Sequence, residues 1–171
     1  MKHLLTTFIF LGTLISCGSV PPSITPVSGF ELDRYLGQWY EIARLDHRFE
    51  RGLEQVTANY SLNDDGTVRV ENRGFNVDDS DWSTAVGKAR MASSPTIGQL
   101  EVSFFGPFYG PYIIFEMDKE NYQHAFVTSS TNALWLLART PQVSDDLKER
   151  FIRTAQAAGY DTEELIMVNH R

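Results

Sequence analysis

Short segments of alternating apolar and polar residues, separated by turn signals, fill the chain from Gly37 to Thr140. The clearest alternation runs from Val56 to Leu62, where successive side chains point to opposite faces of a strand. The turn residues 63–66 then lead into a second alternating segment at 68–71. Six further strands are predicted at 38–46, 82–92, 98–105, 112–118, 122–129 and 133–140, which makes eight in all. Eight strands are about the number at which a closed barrel has room for one small ligand.

The last of these segments, Ala133–Ala138, is apolar on both faces, so its outer face needs a cover. The chain that follows predicts an amphipathic helix, with Ser144 suited to its N-cap and Gly159 to its C-cap. A short final strand is predicted at 165–168. The pattern therefore favours an all-β fold, an eight-stranded antiparallel up-and-down β-barrel with a C-terminal α-helix packed outside.

The start of the chain predicts export and a lipid anchor. A basic start precedes an apolar run, 4–15, that is too short to span a membrane as a helix. The run ends in Leu14-Ile15-Ser16-Cys17, which resembles the bacterial lipoprotein box, and Cys17 is the chain's single cysteine. The resemblance implies cleavage before Cys17, which then carries an N-acyl group and an S-diacylglycerol. We expect a signal peptide at 1–16, a lipid-anchored linker at 17–30 and one domain at 31–171.

Charge and motifs narrow the function classes. Removal of the signal peptide, whose one charged side chain is Lys2, takes the formal net charge from −7 to −8. An acidic chain without a basic cluster argues against nucleic acid as a partner. The chain has no G-x-S-x-G, no HExxH and no zinc-ligand spacing, and its histidines are scattered. We therefore expect no metal, no cofactor and no catalysis.

Three local patterns carry a resemblance to the lipocalins, a family of calycin-type barrels. Gly37-Gln38-Trp39 is similar to the G-x-W motif that opens the first strand in that family. Residues 121–125 stand where its second motif lies, although the usual Thr-Asp-Tyr is absent, and Arg139 ends the eighth strand at the family's basic position. The resemblance implies that Trp39 closes the barrel floor under the Arg139 guanidinium. With the lipoprotein box, the chain resembles the bacterial outer-membrane lipocalins in particular.

Alternation along the strands indicates which residues would face a ligand inside such a barrel. The segment 112–118 fits two registers, with either Tyr112 and Ile114 or Ile113 and Phe115 pointing inward. The predicted pocket residues are residues that alternate along the strands, and the small ones among them leave volume: Ala43, Val56, Ala58, Tyr60, Ala85, Ala89, Leu100, Val102, Phe104 and Tyr112.

The open mouth of such a barrel is formed by alternate loops, here 47–54, 77–81, 105–111 and 129–132. The third of these is unusually aromatic, which fits ligand entry, membrane contact, a dimer patch or rings that plug the barrel. The predicted mouth residues are His47, Arg48, Arg51, Phe105, Phe108 and Tyr109.

The function predicted from these features is that of a non-catalytic binding protein. It would store or transport fatty acids or lysophospholipids in the bacterial envelope, anchored through Cys17 to the periplasmic face of the outer membrane. Gly18 after the cysteine favours that membrane by resemblance to the lipoprotein sorting rule. Two alternatives remain open. One is a barrel enzyme using Tyr60, Glu41 or Glu116, and the other is an interaction protein, a homodimer included, that docks through 104–111.

Overall fold

A computed structural model describes residues 19–170. Cys17 and the predicted signal peptide therefore lie outside the described residues. The elements, in chain order, are α1 (Leu32–Tyr35), β1 (Gly37–Leu45), β2 (Leu53–Leu62), β3 (Val68–Asn76), β4 (Asp81–Met91), β5 (Gln99–Phe105), β6 (Phe108–Met117), β7 (His124–Ser130), β8 (Ala133–Ala138), α2 (Asp145–Ala157), a 3-10 helix (Thr162–Glu164) and β9 (Leu165–Met167).

The strands β1 to β8 form one closed antiparallel ring. Each strand pairs with the next along the chain, and β1 pairs with both β2 and β8, which closes the barrel. β9 pairs with the last residues of β1 from outside the ring. This arrangement confirms the predicted eight-stranded up-and-down barrel with a short final strand.

Two apolar cores lie on opposite faces of the barrel wall. One fills the closed end of the barrel, around Trp39 and Leu100. The other lies between the wall and α2, where Phe151 packs on Phe126 of β7. Ser144 accepts a hydrogen bond from the Leu147 amide and so caps α2 at its N-terminus. The helix thus covers the outer face of β8, as its two-sided apolar pattern predicts.

The segment 19–30 packs along the outside of the barrel. Its first described residue, Ser19, accepts a hydrogen bond from the Thr131 amide in the β7–β8 hairpin. Further along, the Val27 amide donates to the carbonyl oxygen of Ile114, the Val27 carbonyl oxygen accepts from the Gly98 amide, and Phe30 is buried at the closed end. The described part of the predicted linker is therefore packed onto the domain and is not a free spacer.

The closed end is held by one cation. The guanidinium of Arg139 lies 3.8 Å from the ring centre of Trp39, which is fully buried. It also donates hydrogen bonds to the carbonyl oxygens of Arg34, Leu36 and Gln38. Gly37 takes a φ of +92°, which a side chain would strain, and a Cβ there would lie 3.5 Å from Arg139. One side chain therefore joins α1, β1 and β8.

Replacing Arg139 with Met should destabilise the barrel. Trp39 loses its cation–π partner, and the carbonyl oxygens that end α1 lose a charged donor. We expect the free energy of unfolding to fall by about 2–4 kcal/mol. Urea denaturation followed by tryptophan fluorescence measures the loss. The control is Arg153→Met on the exposed face of α2, where the ion pair with Glu149 is worth less than about 1 kcal/mol. Equal losses in the two variants would contradict the assigned role.

Candidate ligand-binding site

The barrel encloses a cavity of about 640 Å³ that opens between the β1–β2, β3–β4, β5–β6 and β7–β8 hairpins. We call this open end the mouth. Apolar side chains such as Val56, Val102 and Leu137 form most of the wall, and the tyrosines Tyr60 and Tyr112 lie among the lining residues. The volume falls within the range of about 300–1,000 Å³ that small-molecule sites usually have.

The structure places most of the predicted pocket residues on the cavity wall: Val56, Ala58, Tyr60, Ala85, Val102, Phe104 and Tyr112. Of the two registers open for 112–118, it shows the one with Tyr112 inward. Ala89 and Leu100 also face into the barrel, but they are packed in the closed-end core beside the cavity rather than on its wall.

Ala43 is the one predicted pocket residue on the wrong face of the barrel. The pairing of β1 with β8 shifts by one residue between Glu41 and Ala43, which is a β-bulge. The bulge turns Ala43 outward into the core under α2 and leaves Glu41 on the cavity wall. Simple alternation along β1 places Ala43 on the same inward face as Trp39 and Glu41, so the placement of Ala43 is corrected.

The predicted mouth residues divide in the same way. Four of them lie on the cavity rim: His47, Arg48, Phe105 and Phe108. The other two make contacts elsewhere. Arg51 forms an ion pair with Asp46 at 2.8 Å, and Tyr109 lies under the guanidinium of Arg90, 4.2 Å from it.

A buried polar cluster, which simple alternation misses, lies on the mouth side of the wall. It consists of Glu41, Arg44, His47, Glu50 and Trp135. Arg44 Nη1 donates to Glu41 Oε1 at 2.8 Å, and Arg44 Nη2 donates to the carbonyl oxygen of Glu50. The Trp135 indole donates to Glu50 Oε2, which also lies 2.8 Å from His47 Nε2. Glu41 and Arg44 share a face only because of the β1 bulge, so nothing in the residue spacing signals this pair.

The pKa values of the two carboxyl groups in the polar cluster are shifted in opposite directions. Burial raises the pKa of Glu41 well above its ordinary value, and the nearby charge of Glu50 adds to the increase despite Arg44. Burial also opposes ionisation of Glu50, but hydrogen bonds and charges from His47, Trp135 and Arg44 outweigh it and lower the pKa of Glu50. The cluster therefore holds its negative charge most firmly on Glu50.

Three tyrosine hydroxyls form a chain across the barrel beside the cavity. Tyr112 lies 2.8 Å from the Tyr35 hydroxyl and 2.9 Å from the Tyr60 hydroxyl. Burial is the largest cause that raises the pKa of each of these phenols, so all three stay protonated near neutral pH. Neutral phenols of this kind offer hydrogen bonds to a ligand and supply no general base.

The residues suggested for catalysis do not meet in one place. Tyr60 and Glu41 line the cavity, but Glu116 pairs with Arg150 of α2 at 3.1 Å on the outer side of the wall. The suggestion that Glu116 is an interior polar group is therefore wrong, because a second register shift, between Ile114 and Glu116, reverses the faces of β6.

Within residues 19–170, no group of three or more His, Cys, Asp or Glu side chains could hold a metal ion. Within the same range no helix is long and apolar enough to cross a membrane.

A closed antiparallel barrel with one apolar cavity, open at one end and capped at the other by Trp39 and Arg139, defines a class of small-ligand-binding barrels. The chain belongs to the lipocalin family, since the lipocalin-like domain matches residues 30–170. Members of this family are generally binding proteins rather than enzymes.

The comparisons with individual proteins agree with this assignment. The chain is 51% identical to the outer membrane lipoprotein Blc of Vibrio cholerae over 92% of its length and 93% of the relative's length. It is 48% identical to the protein of the same name from Escherichia coli K12, with 95% and 92% covered. Among solved structures, insecticyanin from the tobacco hornworm superposes with a TM-score of 0.71 at 18% identity, over 90% of this chain and 88% of that one. That likeness shows the shared fold.

Removing either member of the Glu41–Arg44 pair should have very different costs. Arg44→Met leaves a buried carboxylate without its cation, and we expect the free energy of unfolding to fall by about 3–5 kcal/mol. Glu41→Gln keeps an acceptor for Arg44 and removes a charge that burial already disfavours, so we expect a loss of about 1 kcal/mol. Urea denaturation at pH 7 measures both. A larger loss in Glu41→Gln than in Arg44→Met would contradict this account of the cluster.

The cost of Arg44→Met should also depend on pH. A raised pKa means that the folded chain keeps the Glu41 proton where the unfolded chain, with a pKa of about 4.3, has released it. Stability from this group is therefore complete at low pH and falls as pH rises towards the folded-state pKa. Loss of Arg44 raises that pKa further, so the difference from wild type should grow with pH once the pH exceeds the wild-type folded-state pKa of Glu41. Unfolding at a series of pH values measures it, and a pH-independent difference would refute the titration.

Proposed function

We propose that this protein binds the acyl chain of a fatty acid or lysophospholipid inside the barrel and stores or carries it in the bacterial envelope, without catalysing a reaction on it. The observation that carries the proposal is the cavity of about 640 Å³, whose wall is largely apolar and which opens at one end. The acyl chains of different lipids bury similar apolar surfaces, so such a wall supports a class of ligand rather than one compound.

Small residues on the wall support a ligand-filled interior. Ala58 and Ala85 line the cavity, and Ala85 remains accessible inside the barrel. Larger side chains at these positions would pack the interior and leave no room for an acyl chain. The cavity is therefore maintained by side-chain size, and filling it is a direct test of use.

The polar groups at the mouth support a ligand with one polar end. His47 and Arg48 lie on the rim above the apolar wall, and each can donate a hydrogen bond to a carboxylate or a phosphate. With the acyl chain inside the barrel, the head group of a fatty acid or lysophospholipid would lie at this level. Arg51 is held by Asp46 and His47 by Glu50, each at 2.8 Å, so Arg48 is the strongest candidate for this role.

The relatives support an outer-membrane location. Two chains about half identical to this one are named outer membrane lipoproteins. The sequence Leu14-Ile15-Ser16-Cys17 supplies the residue to which a lipid would be attached. We therefore propose a mature protein that starts at acylated Cys17 and is held at the outer membrane.

Filling the cavity should abolish lipid uptake. The probe is 11-dansylaminoundecanoic acid, titrated into delipidated protein and followed by dansyl fluorescence, with oleate and lysophosphatidylethanolamine as competitors. We expect wild type to bind with micromolar or tighter affinity. Ala85→Phe should weaken binding at least tenfold, because its ring occupies the acyl-chain space. The control is Thr84→Phe, the same change on the neighbouring residue, which is not among the cavity-lining residues.

Unchanged binding in Ala85→Phe, or equal loss in both variants, would place the probe outside the cavity and contradict the proposal. Failure of wild type to bind any of several acyl chains and lysolipids would contradict the ligand class as a whole. Native mass spectrometry of the unextracted protein reports both the acylation of Cys17 and the lipid that co-purifies. An unmodified Cys17 would overturn the anchoring part of the proposal alone.

A further inference from the structure

The described chain begins at the mouth of the barrel. Ser19 is bound through its carbonyl oxygen to the amide of Thr131, which lies in the β7–β8 hairpin on the cavity rim. Cys17 precedes Ser19 by two residues, and a fully extended chain spans at most about 3.6 Å per residue. Two residues therefore reach at most about 7 Å beyond Ser19. If Cys17 is acylated, as proposed above, the anchor leaves the protein at the mouth and not at the closed end.

The order of the strands places two apolar hairpins beside this point. Around the ring, the β7–β8 hairpin has the β5–β6 and β1–β2 hairpins as its neighbours and the β3–β4 hairpin opposite. The two neighbours carry Phe49, Phe105 and Phe108, which are 62%, 70% and 79% exposed. We call these three residues the rim patch. The rings of Phe49 and Phe105 lie 6.3 Å apart, so the patch bridges the two hairpins.

Charge separates the two sides of the mouth. Arg48 lies over the Phe49 ring at 4.6 Å and places a cation beside the rim patch. The opposite β3–β4 hairpin instead carries the exposed carboxylates of Asp78, Asp79 and Asp81. A bilayer surface with anionic lipids attracts cations and repels carboxylates, and exposed aromatic rings partition into the interfacial region of a bilayer. The β3–β4 hairpin also exposes Val77 and Trp82, by 45% and 41%, so its three carboxylates, and not a lack of apolar side chains, distinguish it from the rim patch.

We propose that the rim patch docks on the same bilayer that holds the Cys17 acyl chains, so that the barrel stands mouth-down on the membrane. The tether keeps the patch within reach of the lipid headgroups, and the acidic β3–β4 hairpin is tilted away from them. The cavity then opens towards the acyl layer. A lipid could pass between the bilayer and the cavity without crossing bulk water, which deepens the proposed function and depends on its anchor.

The test measures the depth of single positions in the membrane. The full lipidated chain is reconstituted in vesicles of phosphatidylethanolamine and phosphatidylglycerol at 3:1. Because Cys17 is the single cysteine and its acylated sulfur is a thioether, an introduced cysteine is the one free thiol available for a nitroxide label. Labels at Phe49→Cys and Phe108→Cys probe the patch. Asp79→Cys probes the opposite hairpin, and Asp64→Cys probes the β2–β3 turn at the closed end. All four positions are exposed, so labelling leaves the core intact.

The readout is the ratio of collision rates with oxygen, which concentrates in the bilayer, and with a nickel chelate, which stays in water. We expect that ratio to be at least threefold higher at positions 49 and 108 than at positions 79 and 64. Ratios typical of water at all four positions, in protein whose Cys17 is acylated by mass, would overturn the docking proposal and leave the ligand proposal intact. An unmodified Cys17 would overturn docking together with the anchor.

A second copy of the chain is the competing occupant of the rim patch. Electron–electron dipolar spectroscopy on the position-108 label distinguishes it, because paired patches would bring two labels within about 20–30 Å at low protein density. Such a distance combined with a low oxygen ratio would overturn membrane docking in favour of a dimer.

The role of the rim patch itself is tested with the double variant Phe105→Ser, Phe108→Ser, which should lower the ratio of oxygen to nickel collision rates at position 49. Leu62→Ser, which removes an exposed apolar side chain far from the mouth, should leave it unchanged. Equal ratios in the two would show that the anchor alone holds the barrel and would refute the role of the patch.

Discussion

β1 changes its inward face at the bulge between Glu41 and Ala43, and most of the molecule is arranged around that change. Before the bulge, Trp39 points into the barrel and closes its floor. After it, Ala43 and Leu45 point outward and form the surface on which α2 packs. Arg44 points inward beside Glu41, which forces a charged pair into the wall. Because of one extra residue, the same strand contributes to the floor, to the surface under α2 and to the polar cluster.

Buried charge in an apolar barrel is costly unless each group has partners. Arg44 meets this condition by donating to Glu41 and to the carbonyl oxygens of Glu50 and Leu53. Those carbonyls lie in the β1–β2 connection and at the first residue of β2, so the buried cation also fixes the loop that carries His47 and Arg48. The polar cluster thus has a structural role in shaping the mouth, and the groups that face a ligand depend on it for their positions.

The overall fold could be predicted from the sequence because it depends on regular patterns. Alternation at Val56–Leu62, the two-sided apolar segment at Ala133–Ala138 and the capped helix after Ser144 each specify one element. The site was less predictable because it depends on irregularities. Alternation puts Ala43 and Glu116 on the wrong faces, each in a strand whose pairing shifts by one residue. A bulge has no reliable residue signature, and a one-residue slip exchanges the two faces of a strand.

Alternation also does not predict how deep in the barrel an inward-facing residue lies. Ala89 and Leu100 face inward as predicted, yet they lie in the packed core at the closed end. Whether an inward residue borders the cavity or the core depends on how strands stagger around the ring and on the segment 19–30, which seals the closed end through Val27 and Phe30. Proline and serine are frequent in that segment, so its composition indicates a spacer. Its packing is instead determined by two apolar side chains, Val27 and Phe30.

The path of this segment links stability to the direction of the mouth. Its far end is sealed into the closed-end core, and its near end is bonded to the β7–β8 hairpin at the rim. Because both ends are attached to the barrel, residues 19–30 cannot act as slack between the domain and a lipid on Cys17. If Cys17 carries a lipid, as proposed, the packing of Val27 and Phe30 limits the length of chain between that lipid and the barrel. A substitution that loosened these contacts would lengthen the tether and release the mouth without altering any residue of the cavity.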